Sequence, residues 1–118
     1  MREYIPKIKY IRPEVWKRIT SVIKDYNNLK AEYSLLINNE NAEVIKNEIE
    51  RKLTAVDNAM NSFDTEVQEL IKQRYWKGRI YRDVMLPLSE STMKRYVRRF
   101  VITVGRNLGE LECVRLFL

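Results

Sequence analysis

Lys94, Arg95, Arg98 and Arg99 form two adjacent basic pairs just after the run Ser89-Glu90-Ser91-Thr92. A serine before a run of helix formers is a good N-cap, because its hydroxyl can accept a backbone N–H of the first turn. The chemistry such a set can perform is anion binding. Guanidinium forks match phosphate and guanine edges, and helix-start amides attract negative charge. The window from Lys72 to Arg106 holds ten basic residues: Lys72, Arg74, Lys77, Arg79, Arg82, Lys94, Arg95, Arg98, Arg99 and Arg106. Only Asp83 and Glu90 oppose them, for a net +8, so the rest of the chain stands at −2 within the overall +6. A near-neutral segment joined to a strongly basic one implies a polyanion partner for the second. The plainer alternative is a solvated basic face.

The element that must carry these residues is a long final helix. Ser89 is expected to cap it, and Gly109 to stop it after Leu108, giving a length of about 30 Å. At 100° per residue, Met93, Tyr96, Val97, Phe100, Val101, Val104 and Leu108 share a core-facing stripe. Ser91, Arg95, Arg98, Arg99 and Arg106 lie opposite, with Lys94 at the border. Ile102 falls among the arginines and is expected to meet another element or a second subunit. Upstream, residues 79–86 read as a short helix with Ile80 and Val84 on one side, and Leu86-Pro87-Leu88 as a tight turn. Short helix, turn and capped basic helix make a helix-turn-helix pattern.

Roles follow from position. The helix start reads base edges, so Ser91, Thr92 and Arg95 are the base-reading candidates, with Arg95 suited to a bidentate guanine contact. Ser89 and the neighbouring amides are candidates for a phosphate. Lys94, Arg98 and Arg99 would reach flanking phosphates; Lys77, Arg79 and Arg82 would grip backbone from the preceding loop and helix. Tyr75, Trp76, Tyr81 and Tyr96 can be read as a stacking platform for bases, but at helical spacing they are expected in the core.

The rest of the chain must support that head. Residues 1–12 read as an N-terminal arm, and Pro13 suits a first helical position. Val15, Ile19, Val22, Tyr26, Leu29, Tyr33 and Leu36 then recur at alternating steps of four and three, a heptad seam. A turn at Asn38-Asn39-Glu40-Asn41, with Asn41 as cap, leads to a second amphipathic stretch through Ile45, Ile49, Leu53, Val56, Ala59, Met60 and Phe63. Residues 13–63 thus predict a long helical hairpin, the alternative being a coiled coil that pairs two subunits into a homodimer. Asp64 is expected to cap a further helix ending near Tyr75, broken by Gly78. Residues 64–110 would form the DNA-binding region and 111–118 an apolar tail. The fold class is therefore all-α.

Composition excludes other classes. The chain has 118 residues, 45% of them hydrophobic and 32% charged, as for an ordinary folded domain. No apolar run approaches the ~20 residues that span a bilayer, so no membrane partner is expected. With one cysteine, Cys113, no internal disulfide can form, and the cytoplasm is the expected setting. The absence of histidine, of a Gly-rich phosphate loop and of Cys/His metal spacing argues against an enzyme, a metal site or a cofactor.

Residues 66–108 resemble the DNA-binding region 4 of sigma factors: an acidic helix ending in Arg74-Tyr75, a short helix, then Ser89-Glu90-Ser91-Thr92 opening an Arg-rich helix. The segments Leu70-Ile71-Lys72-Gln73-Arg74-Tyr75-Trp76 and Leu88-Ser89-Glu90-Ser91-Thr92-Met93-Lys94-Arg95-Tyr96 look more closely like phage late-gene transcriptional activators of the ArpU and RinA type. Asp25-Tyr26-Asn27-Asn28-Leu29-Lys30 is similar to their tyrosine-centred first helix. The resemblance implies a phage or prophage regulator that binds double-stranded DNA at a promoter, with host RNA polymerase, to switch on packaging and structural genes. Asp64, Glu66 and Glu69 are candidates for touching the polymerase. The sequence departs from the pattern at Arg82 and Asp83, where packing residues are expected, and at Pro87, where glycine is commoner. Two other functions fit the same features: a small terminase subunit that packages DNA, and a helical interaction module that binds an acidic protein.

Overall fold

The computed structural model describes residues 11–111, and among them the chain is all-helical. The expected arm lies largely outside the described residues, as does all of the tail but Leu111. The α-helices are α1 (Pro13–Lys24), α2 (Tyr26–Leu36), α3 (Glu43–Asn61), α4 (Thr65–Ile71) and α5 (Glu90–Leu108). Pro13 opens α1, where its missing N–H costs no hydrogen bond. Asp64 caps α4 by accepting the Val67 amide at 3.1 Å. Ser89 caps α5 by accepting that of Thr92 at 3.2 Å. Gly109 ends α5 in the left-handed conformation, φ 80°, with its amide bonded to Arg106 O and that of Glu110 to Gly105 O. This reciprocal pair satisfies carbonyls that a helix end leaves open.

The heptad seam breaks at Asp25, so one expected helix is two. The cause is distant. The Trp76 indole donates to the carbonyl of Ile23, in the last turn of α1, and its ring stacks on Tyr26 at 5.0 Å. A side chain bonded into a helix's carbonyl ladder is a recognised source of a bend. The seam still faces inward. Val15, Ile19 and Leu29 are buried, and Val22 and Tyr26 pack against the core. Helices α2 and α3 fold back on each other, tied by the Tyr26 hydroxyl donating to Asp57. The cap expected from Asn41 belongs instead to Asn39, whose side chain accepts the Asn41 amide at 3.0 Å and starts a 3-10 turn at Glu40–Ala42.

The core draws on four of the five α-helices. Val15, Ile19 and Ile23 of α1, Val56 and Ala59 of α3, Leu70 and Ile71 of α4, and Val97, Phe100, Val101 and Val104 of α5 form one cluster. Helix α5 is its axis, touching α1, α3 and α4. From Phe100 to Gly105 every residue of α5 is buried, including Ile102. This stretch of α5, Phe100 to Gly105, is therefore enclosed on all sides. The first half of the helix has only one covered face.

Candidate nucleic-acid interface

The first half of α5 carries the residues singled out from the sequence. Met93, Val97 and Phe100 turn into the core, while Ser91, Lys94, Arg95 and Arg99 are exposed and Thr92 and Arg98 half-buried. The cap is a small network. The Ser89 hydroxyl donates to Thr92 Oγ1 at 2.9 Å while accepting the Thr92 amide, and Ser91 Oγ stands 3.2 Å away. The Thr92 amide is thereby taken, which leaves those of Glu90 and Ser91 for a ligand. Glu90, the one acid of the first turn, lies 3.3 Å from Lys94. That pairing blunts the carboxylate where an incoming anion would be repelled.

The segment before α5 differs from expectation. Helix α4 continues into a π turn over Lys72–Trp76, in which Lys77 N bonds to Lys72 O at 2.9 Å. The short helix expected over residues 79–86 is a single 3-10 turn at Tyr81–Asp83, with extended backbone at Ile80 and Val84 on either side. Ile80 is exposed and Val84 buried, so they do not share a helical face.

Side chains from the π turn hold this segment, and that is why it need not be helical. The amide oxygen of Gln73 accepts from Arg79 Nη1 and from the Met85 amide, both at 2.8 Å. Its carbonyl takes the Arg79 amide at 2.9 Å, and Arg74 Nη1 donates to Arg79 O at 2.8 Å. Backbone groups that a helix would pair internally are satisfied from outside. The expected tight turn is present, with Leu88 N bonded to Leu86 O at 2.8 Å around Pro87.

The loop adds charge beside the start of α5. Lys77 and Arg82 are exposed. Arg79 is half-buried with one nitrogen committed to Gln73, so it braces the loop as well as adding charge. The Arg74 guanidinium lies 4.3 Å from the centre of the Tyr81 ring, and Lys94 Nζ 5.7 Å from it. Tyr81 thus links the loop to the π turn through Arg74 and to α5 through Lys94. The four aromatics named above all pack against the core rather than standing free as a platform. Burial pushes the Tyr75 hydroxyl up to about 12.

Sequence reasoning missed Gln73. Its one signal was a polar residue between Ile71 and Tyr75 on a face otherwise turned inward. The acids considered for a polymerase contact have divided roles: Asp64 caps α4, Glu69 accepts from Gln73 Nε2 at 3.3 Å, and Glu66 is exposed. Among the described residues no group of acids, Cys or His could hold a metal, and no helix is long and apolar enough to cross a membrane. Compared with models of known protein families, with curated proteins and with solved structures, the chain matches none.

Proposed function

We propose that this chain is a sequence-specific DNA-binding regulator of transcription, a phage or prophage activator of late genes working at a promoter with host RNA polymerase. The observation that carries the DNA-binding part is the first half of α5. Ser91, Lys94, Arg95 and Arg99 are exposed on a capped helix whose other face is fixed in the core, and the 3-10 turn carrying exposed Arg82 touches that helix. A rigid helix start with outward guanidinium groups can enter a major groove, and flanking cations can track phosphates. The late-gene assignment rests on the sequence resemblance. The extended segment before α5 makes the docking differ from that of a helix-turn-helix joined by a three- or four-residue turn.

A second copy of the chain fits the other end of the molecule. Leu35 and Val44 are 85% and 82% exposed at the tip formed by α2 and α3, with Ile37 and Ile45 beside them. Dimerisation there would cover them and present two basic helices to two half-sites. Sedimentation gives the mass: a dimer fits the regulator, whereas a large ring favours the packaging protein.

The deciding experiment is binding of labelled duplex DNA over a range of salt. Affinity should fall linearly on a log–log plot, with a slope set by the phosphates neutralised. Affinity independent of salt, or absent at low salt, overturns the reading. Selection of bound fragments from the source genome then tests the promoter assignment, which fails if fragments cluster at a packaging site.

A further inference from the structure

The ends of residues 79–85 meet on one atom. Gln73 Oε1 accepts from the side chain of Arg79 and from the backbone of Met85, each at 2.8 Å, and closes the segment into a loop. Inside it, Asp83 N bonds to Ile80 O and Val84 N to Tyr81 O, so the loop has a fixed shape of its own. Gln73 is 3% exposed, and all its polar atoms are used within the chain. What the loop turns outward is unusual for a surface loop. Ile80 is 51% and Met85 77% exposed, and Arg82 is exposed between them. A cation flanked by apolar side chains on a rigid loop suits a nucleic-acid backbone, where phosphates alternate with the apolar faces of sugars.

We propose that residues 79–85 are a second, preformed contact element for duplex DNA, with Arg82 on a phosphate and Ile80 and Met85 against sugar, and that Gln73 is the residue positioning it. This rests on the DNA-binding reading of α5 and adds a surface that the base-reading helix does not include. The choice of DNA over an apolar protein partner follows from charge. The only acid within the loop is Asp83, whereas Arg79, Arg82 and the neighbouring Lys77 and Lys94 are basic.

The test is a double-mutant cycle read by the salt dependence of duplex binding. Arg82→Ala should lower the magnitude of the salt slope by about one unit, the loss of one phosphate contact. Gln73→Met, similar in volume but without the acceptor, should reproduce that loss although residue 73 is buried. Combining the two should add little to either. Gln73→Glu combined with Glu69→Gln keeps an acceptor for Arg79 and Met85, a donor between residues 69 and 73 and the net charge, and should retain the wild-type slope. Helical circular dichroism and melting show whether Gln73→Met is folded. If it is not, Met85→Pro removes the clamped amide from the exposed side, and its slope is compared with that of Met85→Ala, which keeps the amide. A wild-type slope in folded Gln73→Met or in Met85→Pro, or additive losses in the cycle, overturns the positioning role while leaving DNA binding by α5 standing. No salt-dependent binding by the wild type overturns both.

Discussion

The indole N–H of Trp76 donates to the carbonyl oxygen of Ile23 at 2.9 Å, joining segments 53 residues apart. One bond and the ring stack on Tyr26 thus fasten the π turn below the candidate interface to the break between α1 and α2. Trp76→Phe keeps an aromatic ring but removes the donor. It should cost about 1 kcal/mol, the net worth of one hydrogen bond, because the Ile23 carbonyl keeps a backbone N–H partner at the end of α1. The melting temperature should fall by roughly 3–6 °C. An unchanged melting curve would show that the bond merely accompanies the break.

Alkaline pH should loosen the same region. Burial, then the hydrogen bond to Asp57 and its charge, hold the Tyr26 hydroxyl up at about 12; burial does the same for Tyr75. An unfolded tyrosine titrates near 10. The folded state keeps these protons longer, so their stabilisation is complete below about pH 10 and is lost as pH rises from there through about 12. Tyr26 and Tyr75 should therefore give late phenolate absorbance. Denaturant midpoints should decline across that window, and Tyr26→Phe should flatten the decline. The absence of any late phenolate absorbance would contradict it.

Local features of this fold were legible because their physics is local. Pro13, Asp64, Ser89 and Gly109 mark helix ends through their own dihedral angles and side-chain bonds, and the structure uses each as expected. The inward stripe of α5 was legible from periodicity alone. The expectations that failed for the first helix and for residues 79–86 depended on side-chain partners outside the segment itself. The break at Asp25 falls where the Trp76 indole bonds to the Ile23 carbonyl. The loss of helix over residues 79–86 follows from Gln73 and Arg74. Ile102 meets other elements, as its place among the arginines led one to expect, because α5 runs through the middle of the molecule.

Within α5, Arg95 and Arg99 should separate two kinds of contact. Both are exposed, with Arg95 one turn nearer the capped end. Arg95→Ala should cost about 1–3 kcal/mol on the preferred site and relax the choice of base there. Arg99→Ala should weaken all duplexes alike and reduce the salt slope by about one. Binding of a specific and a scrambled duplex by both variants decides it. Equal, sequence-independent losses would place both residues on phosphates.

Gly105 tests whether the interface depends on how tightly α1 crosses α5. A Cβ at this position would lie 2.6 Å from Cδ1 of Ile19 and 2.9 Å from that of Leu111, and Ile19 is fully buried. A larger side chain must displace the ends of the Ile19 and Leu111 side chains, and a filled core gives Ile19 little room to move. Gly105→Val should therefore cost about 2 kcal/mol in stability. The first half of α5 has its own core anchors in Met93 and Val97. DNA affinity of the folded variant, measured well below its melting temperature, should then match the wild type. A parallel loss of affinity and stability would mean that the crossing sets the pose of the basic helix start, making α1 part of the binding apparatus.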